Sequence, residues 1–139
     1  MEVSPIFQNM TPWQAKKLIL ASQMVEYPEG HAVIKAGETG NTMYVILDGE
    51  LEVSVNRGRE KIVLTKLGLG EVVGEVALVS QALRTADVIA LSPVKLLVYD
   101  WESIVQIRRF SPFLASNLLL NLAKILGNRL IGIQKHLEN

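Results

Sequence analysis

The chain has 139 residues, with Lys plus Arg and Asp plus Glu balanced at 14 each, and no cysteine. The length suits one domain, the balance excludes a nucleic-acid surface built on net basic charge, and the missing cysteine excludes disulfides, thiol catalysis and cysteine-based metal sites. Apolar residues make up 49% and mean hydropathy is +0.26, enough for a core and high enough to point to an apolar surface covered by a partner.

In chain order, MEVSPIFQNM has neither the positive nor the apolar region of a signal peptide. Residues 1–23 read as a helical segment, with Thr11 as cap and Pro12 at the first helical position. Residues 24–99 switch to short β-rich runs broken by Pro28, Gly30, Gly37, Gly40 and Gly49. Asp48-Gly49 between MYVIL and LEVSV predicts a hairpin, and Arg57-Gly58 predicts a turn before KIVLTKL. RTADVIAL and VKLLVYD follow, split by Ser92-Pro93. Many short strands with glycine turns predict an antiparallel barrel, roll or sandwich. Residues 100–139 return to helical period: Asp100 caps WESIVQIRRF, and Ser111-Pro112 opens a long helix to about Leu137.

The longest uncharged run, Phe110 to Ala123, is 14 residues with four polar side chains, short of the roughly 20 apolar residues of a membrane span. The expectation is a soluble, cytoplasmic protein of one domain, 1–139. His31 and His136 stand far apart, so no metal cluster is expected, and no activated nucleophile marks an enzyme.

The long helix carries two apolar faces. Leu118, Leu122 and Ile125 form one; Leu119, Ala123, Leu126, Leu130, Ile133 and Leu137 form the other, at heptad spacing. One face suits the β-structure; the second predicts a homodimer through this helix, the plain alternative being a core helix folded on its own domain. Gly127 and Gly132 mark bend points or close approach of a second backbone.

The chemistry concentrates in GEVALVSQALRTADVIA. Val76 to Ser80 has room for one helical turn after Gly74, and such a turn offers free N–H groups to an anion. Arg84, expected on the following strand, can bind a phosphate through two parallel hydrogen bonds. Glu75 would repel an anion unless it accepts from hydroxyls of the same ligand. A phosphorylated ribose meets both demands. A surface Glu–Arg pair is the plain alternative.

Gly74-Glu75-Val76-Ala77-Leu78 followed by Arg84-Thr85-Ala86 resembles the phosphate-binding cassette of cyclic-nucleotide-binding domains, the family of the catabolite activator protein, protein kinase A regulatory regions and cyclic-nucleotide-gated channels. The resemblance covers nearly the whole chain. It implies a mainly β fold with flanking helices: an antiparallel eight-stranded, jelly-roll-like β-roll with an N-terminal helix and a long C-terminal one, its cassette at 74–86. It also implies a sensor that binds cAMP or cGMP as ligand, uses no cofactor, and signals by moving its C-terminal helices.

By resemblance Gly74 lets the backbone approach, Glu75 accepts from the ribose 2′-hydroxyl, and the Val76–Ala77 region donates N–H groups. Arg84 neutralises the cyclic phosphate, with Thr85 and Ala86 beside it; Thr85 can also meet a guanine amino group, or serve only as a strand residue. Asn128 and Arg129 lie where the family's helix covers the base. Either can bond the base, Arg129 can pair with Glu75, or both are solvated. Val73 and Leu83 depart from the Phe and Pro common in relatives, which bears on loop shape. Two further readings remain open: the ligand-binding and dimerising part of a catabolite-activator-type regulator without its DNA-binding domain, and a degenerate interaction domain that binds nothing.

Overall fold

The computed structural model describes residues 4–75 and 83–138, with side chains described as far as Ile131. A 3-10 turn, Pro5–Phe7, precedes α1, Pro12–Leu20. Thr11 Oγ1 accepts from Gln14 N at 3.1 Å, and Gln14 Oε1 accepts from Thr11 N at 3.0 Å. This reciprocal cap satisfies donors that a helix start leaves free.

Eight strands follow: β1 Gln23–Tyr27, β2 Ala32–Ile34, β3 Thr42–Asp48, β4 Leu51–Arg57, β5 Glu60–Leu67, β6 Val72–Val73, β7 Asp87–Ala90 and β8 Val94–Asp100. They form two four-stranded antiparallel sheets, ordered β1-β8-β3-β6 and β2-β7-β4-β5. The fold is mainly β with flanking helices, as expected. The β-region begins at Gln23 and reaches Asp100, one residue beyond 24–99 at each end.

The hairpin expected at Asp48-Gly49 is absent. β3 pairs with β8 and β4 with β7, in different sheets. The β3–β4 arm and the β7–β8 arm thus pair along their length as one ribbon that bends from sheet to sheet. Gly49, at φ +92°, forms one corner, and a Cβ there would press on Pro93 and Val94 of the other. Glu50 N donates to Ser92 Oγ at 3.1 Å and Leu91 N to Glu50 O at 2.9 Å, locking the corners together. Arg57-Gly58 does close a hairpin, pairing β4 with β5.

The two central strands of the first sheet, β3 and β8, are buried on both faces. Tyr44, Ile46 and Leu96 pack toward the second sheet, whereas Met43, Val45, Leu97 and Tyr99 pack toward the helices. That is why β3 and β8 read as continuous apolar runs rather than alternating ones. Tyr99 Oη donates to Leu18 O at 2.7 Å, tying α1 to β8, and burial pushes its pKa up.

Two helices cover the outer face of this sheet: α2, Trp101–Phe110, and α3, Pro112–Glu138. Leu114, Ala115, Leu118 and Leu122 form the inward stripe of α3. Asn121 Nδ2 donates to Ile6 O at 3.0 Å and Gln8 O at 2.9 Å, fastening the N-terminal turn to the same stripe.

Asp100 caps α2 by accepting from Ser103 N at 2.8 Å. Hydrogen bonds from the Ser103 backbone and then its hydroxyl hold the Asp100 carboxyl below the usual carboxylate range. A depressed carboxyl pKa contributes stability above the unfolded-chain value and loses it as pH falls through the folded one. Asp100→Ala should cost about 1 kcal/mol at neutral pH, and the deficit should shrink in acid. Urea unfolding at both pH values checks this.

Candidate functional site

β6 ends at Val73, and Gly74 turns the chain with φ +84°. A Cβ at Gly74 would lie 2.8 Å from Thr42 O and 2.9 Å from Arg84 Nη1. Glycine is therefore required twice, for the left-handed backbone and for the close approach. Glu75 follows, 4% exposed.

Arg84 arrives from the other direction. It precedes β7 rather than lying on it, because the strand begins at Asp87. Its backbone is stitched to the turn after β2: Arg84 N donates to Glu38 O at 2.9 Å, and Gly37 N donates to Arg84 O at 2.8 Å. The guanidinium donates from Nη2 to Thr42 O at 2.9 Å and Thr42 Oγ1 at 3.0 Å, and from Nη1 to Gly74 O at 3.3 Å. Every one of these acceptors is neutral. Among the described residues no carboxylate lies within ion-pair distance of Arg84. Burial lowers its pKa, opposed by Tyr44 and Glu75. A partly desolvated cation whose hydrogen-bond acceptors among the described residues are all neutral oxygens favours an anion.

Between these segments lies a cavity of about 270 Å³. Ile34, Val53, Val73 and Val88 give it apolar walls, and Gly74, Glu75, Arg84, Thr85 and Ala86 line it as well. Thr85 is exposed and Ala86 half-buried. Apolar walls with a few convergent polar groups are the make-up of a small-molecule site.

Arg129 reaches this cavity from α3. It continues the inward stripe of Leu118, Leu122 and Ile125, which turns it toward the roll. Its Nη1 donates to Glu75 Oε1 and its Nη2 to Val72 O. Of the roles open to Arg129, the structure therefore displays the pairing with Glu75. Asn128 is exposed and does not line the cavity. Val76 and Ala77 lie outside the described residues.

Two site residues escaped the sequence reading. Gly40 lies so close that a Cβ there would stand 2.6 Å from Arg84 Nη2 and 2.7 Å from its Cζ. Thr42 supplies two of the guanidinium's acceptors. Their signal was GETGNT, with glycine and small polar residues opening β3, which reads equally as an ordinary turn.

Residues 24–109 match the family described as Cyclic nucleotide-binding domain. The cAMP-dependent protein kinase regulatory subunit of Schizosaccharomyces pombe is 38% identical over 100 residues, 72% of this chain and 24% of the relative. The Cyclic AMP receptor protein of Thermus thermophilus is 28% identical over 125 residues, 89% of this chain and 58% of the relative. The chain thus spans less than two thirds of either relative's length. Among solved structures, the Thermus thermophilus catabolite activator protein superposes with a TM-score of 0.88 at 26% identity, covering 97% of this chain and 62% of that one.

Gly74→Ala tests the crowding at the cavity. The left-handed backbone alone should cost about 1–2 kcal/mol, and the added methyl must push Arg84 from Thr42. Denaturant unfolding should show at least that loss; wild-type stability would contradict the geometry.

Proposed function

The chain belongs to the cyclic-nucleotide-binding domain family, and from that premise we propose that it is a regulatory module that takes a purine 3′,5′-cyclic nucleotide into the cavity lined by Glu75, Arg84 and Arg129 and reports it through α3. The observation that carries this reading is the convergence of Arg84, Glu75 and the α3 residue Arg129 on one cavity. Arg84 neutralises the cyclic phosphate, aided by the backbone of Gly74, Val76 and Ala77 and by Thr85 and Ala86 at the mouth. Glu75 accepts from the ribose 2′-hydroxyl. The names of the two relatives favour cAMP; cGMP is the alternative that Thr85 keeps open.

Glu75 has two suitors in this reading. Arg129 holds it in the ligand-free protein, and the ribose hydroxyl competes for the same carboxylate. Ligand then shifts α3 only by the difference in its affinity for the two tether states. The outward face of α3 supports a homodimer: Leu119, Leu120, Leu130 and Ile131 are exposed, and a Cβ at Gly127 would meet none of the described residues. The work is binding rather than catalysis, and the setting is the cytoplasm. The overlap with the Thermus receptor supports a second reading, in which the module serves a transcription regulator whose DNA-binding part lies elsewhere.

Thermal melts with cAMP, cGMP and their linear monophosphates test the function. Ligand at 100 times its Kd adds ~2.7 kcal/mol, several degrees for a domain of this size. A cyclic nucleotide should raise Tm and its linear form should not. Arg84→Ala should lose roughly 2–5 kcal/mol of binding; equal affinity in the variant would sink the assignment.

Arg129→Gln tests the tether. It leaves Glu75 buried without its cation, which should cost roughly 1–3 kcal/mol in the ligand-free protein. That is below the ~3–5 kcal/mol of a fully buried pair, because the Arg129 side chain is 38% exposed. Ligand hydroxyls then satisfy Glu75, so the ligand-induced rise in Tm should exceed that of wild type. An unchanged rise would contradict competition for Glu75.

A further inference from the structure

We propose that the corner where α1, α2 and α3 meet is a docking site for an acidic amphipathic helix of a partner protein. This goes beyond nucleotide binding and does not depend on it. Trp13 is 52% exposed, Phe110 63% and Phe113 81%. The Trp13 and Phe110 rings stack with centroids 6.2 Å apart and planes inclined by 24°. Lys17 Nζ stands over both, 5.5 Å from the Trp13 centroid and 5.3 Å from that of Phe110. Trp13, Lys17 and Leu20 recur at helical spacing, so α1 presents a ridge to solvent, while Leu18 is its buried residue. Gln14 Oε1 accepts from Asn117 Nδ2 at 3.4 Å, which fixes α1 against α3 and makes the corner one surface.

The charge of this corner names the partner's chemistry. The whole chain is balanced at 14 of each sign, yet the two helices that meet here carry Lys16 and Lys17 on α1 and Arg108 and Arg109 in the last turn of α2, with Lys17 over the aromatic pair itself. The α1 sequence has no acid, and Glu102, the acid of α2, accepts from Gln106 Nε2 at 3.1 Å. Among the described residues none of the four cations has a carboxylate within ion-pair distance. Helix dipoles favour cations in the last turns of α1 and α2, but they do not explain aromatic rings left in water beside them. Exposed aromatics with basic neighbours are the composition of interface hot spots. A helix lays apolar anchors at i, i+3, i+4 and i+7 along such a ridge, and carboxylates on its flanks meet the four cations. A lipid surface fits less well. Trp13 and Phe110 lie against each other instead of projecting as wedges into acyl chains.

The experiment is selection of short helical peptides, from a displayed library of unbiased charge, on the full chain. Enriched peptides should be net acidic with apolar residues at helical spacing. Their affinity should fall about tenfold or more with Trp13→Ala, and fall with rising salt. Charge reversal of Lys16, Lys17, Arg108 and Arg109 should abolish acidic enrichment, while cyclic-nucleotide melts and circular dichroism report whether the variant still folds. If that variant unfolds, Trp13→Ala and the salt series decide alone. No enrichment, a pool without acidic bias, or undiminished binding by Trp13→Ala would overturn the proposal. So would binding to phosphatidylserine vesicles, in preference to phosphatidylcholine, that outcompetes the selected peptides.

Discussion

The guanidinium of Arg84 donates to the start of β3 and to the end of β6 at once, while its own backbone is held by the turn after β2. The 37–42 segment and the end of β6, more than 30 positions apart in sequence, are thus joined at one cation. Gly40 and Gly74 must lack side chains for it to fit. The bend of the paired ribbon at Gly49 and Pro93 makes this possible, because it folds the two sheets face to face and leaves the cavity at one end. Packing sets the architecture, and the site occupies the place where packing gives way to an incompletely neutralised charge.

Glu75 is the second half of the same design. A carboxylate this buried needs a partner, and Arg129 provides it from α3. The inward stripe of Leu114, Leu118 and Leu122 that seats α3 on the roll is what delivers Arg129 to the carboxylate. Core packing and the site are therefore continuous. Anything that competes for Glu75 acts on a helix whose opposite face is apolar and exposed, and that is how a small ligand would gain a long reach.

Local chemistry was legible in the sequence. The caps at Thr11, Asp100 and Ser111 were readable because each depends on residues three positions away. The cassette was readable because its residues lie within one short segment. What depended on distant partners was not. Asp48-Gly49 has the composition of a hairpin turn, but β3 and β4 each found a better neighbour in β8 and β7. Thr42 lies 42 positions from Arg84, and no local pattern announces that contact. Arg129 was legible as a candidate with several roles, and only its position on the inward stripe selects one. No local pattern sets Trp13 and Phe110 apart, because their stacking in solvent joins residues 97 positions apart.

In the proposed function, Arg84 and Glu75 recognise a cyclic phosphate and a ribose hydroxyl on one molecule. Titration calorimetry of the purified chain with cAMP, 2′-deoxy-cAMP and linear adenosine monophosphate tests both halves together. The expected result is saturable binding of cAMP, weaker binding by about tenfold or more when the 2′-hydroxyl is removed, since Glu75 is then left without that donor, and loss of binding with the linear monophosphate. Equal affinity for all three, or binding of none, would contradict it.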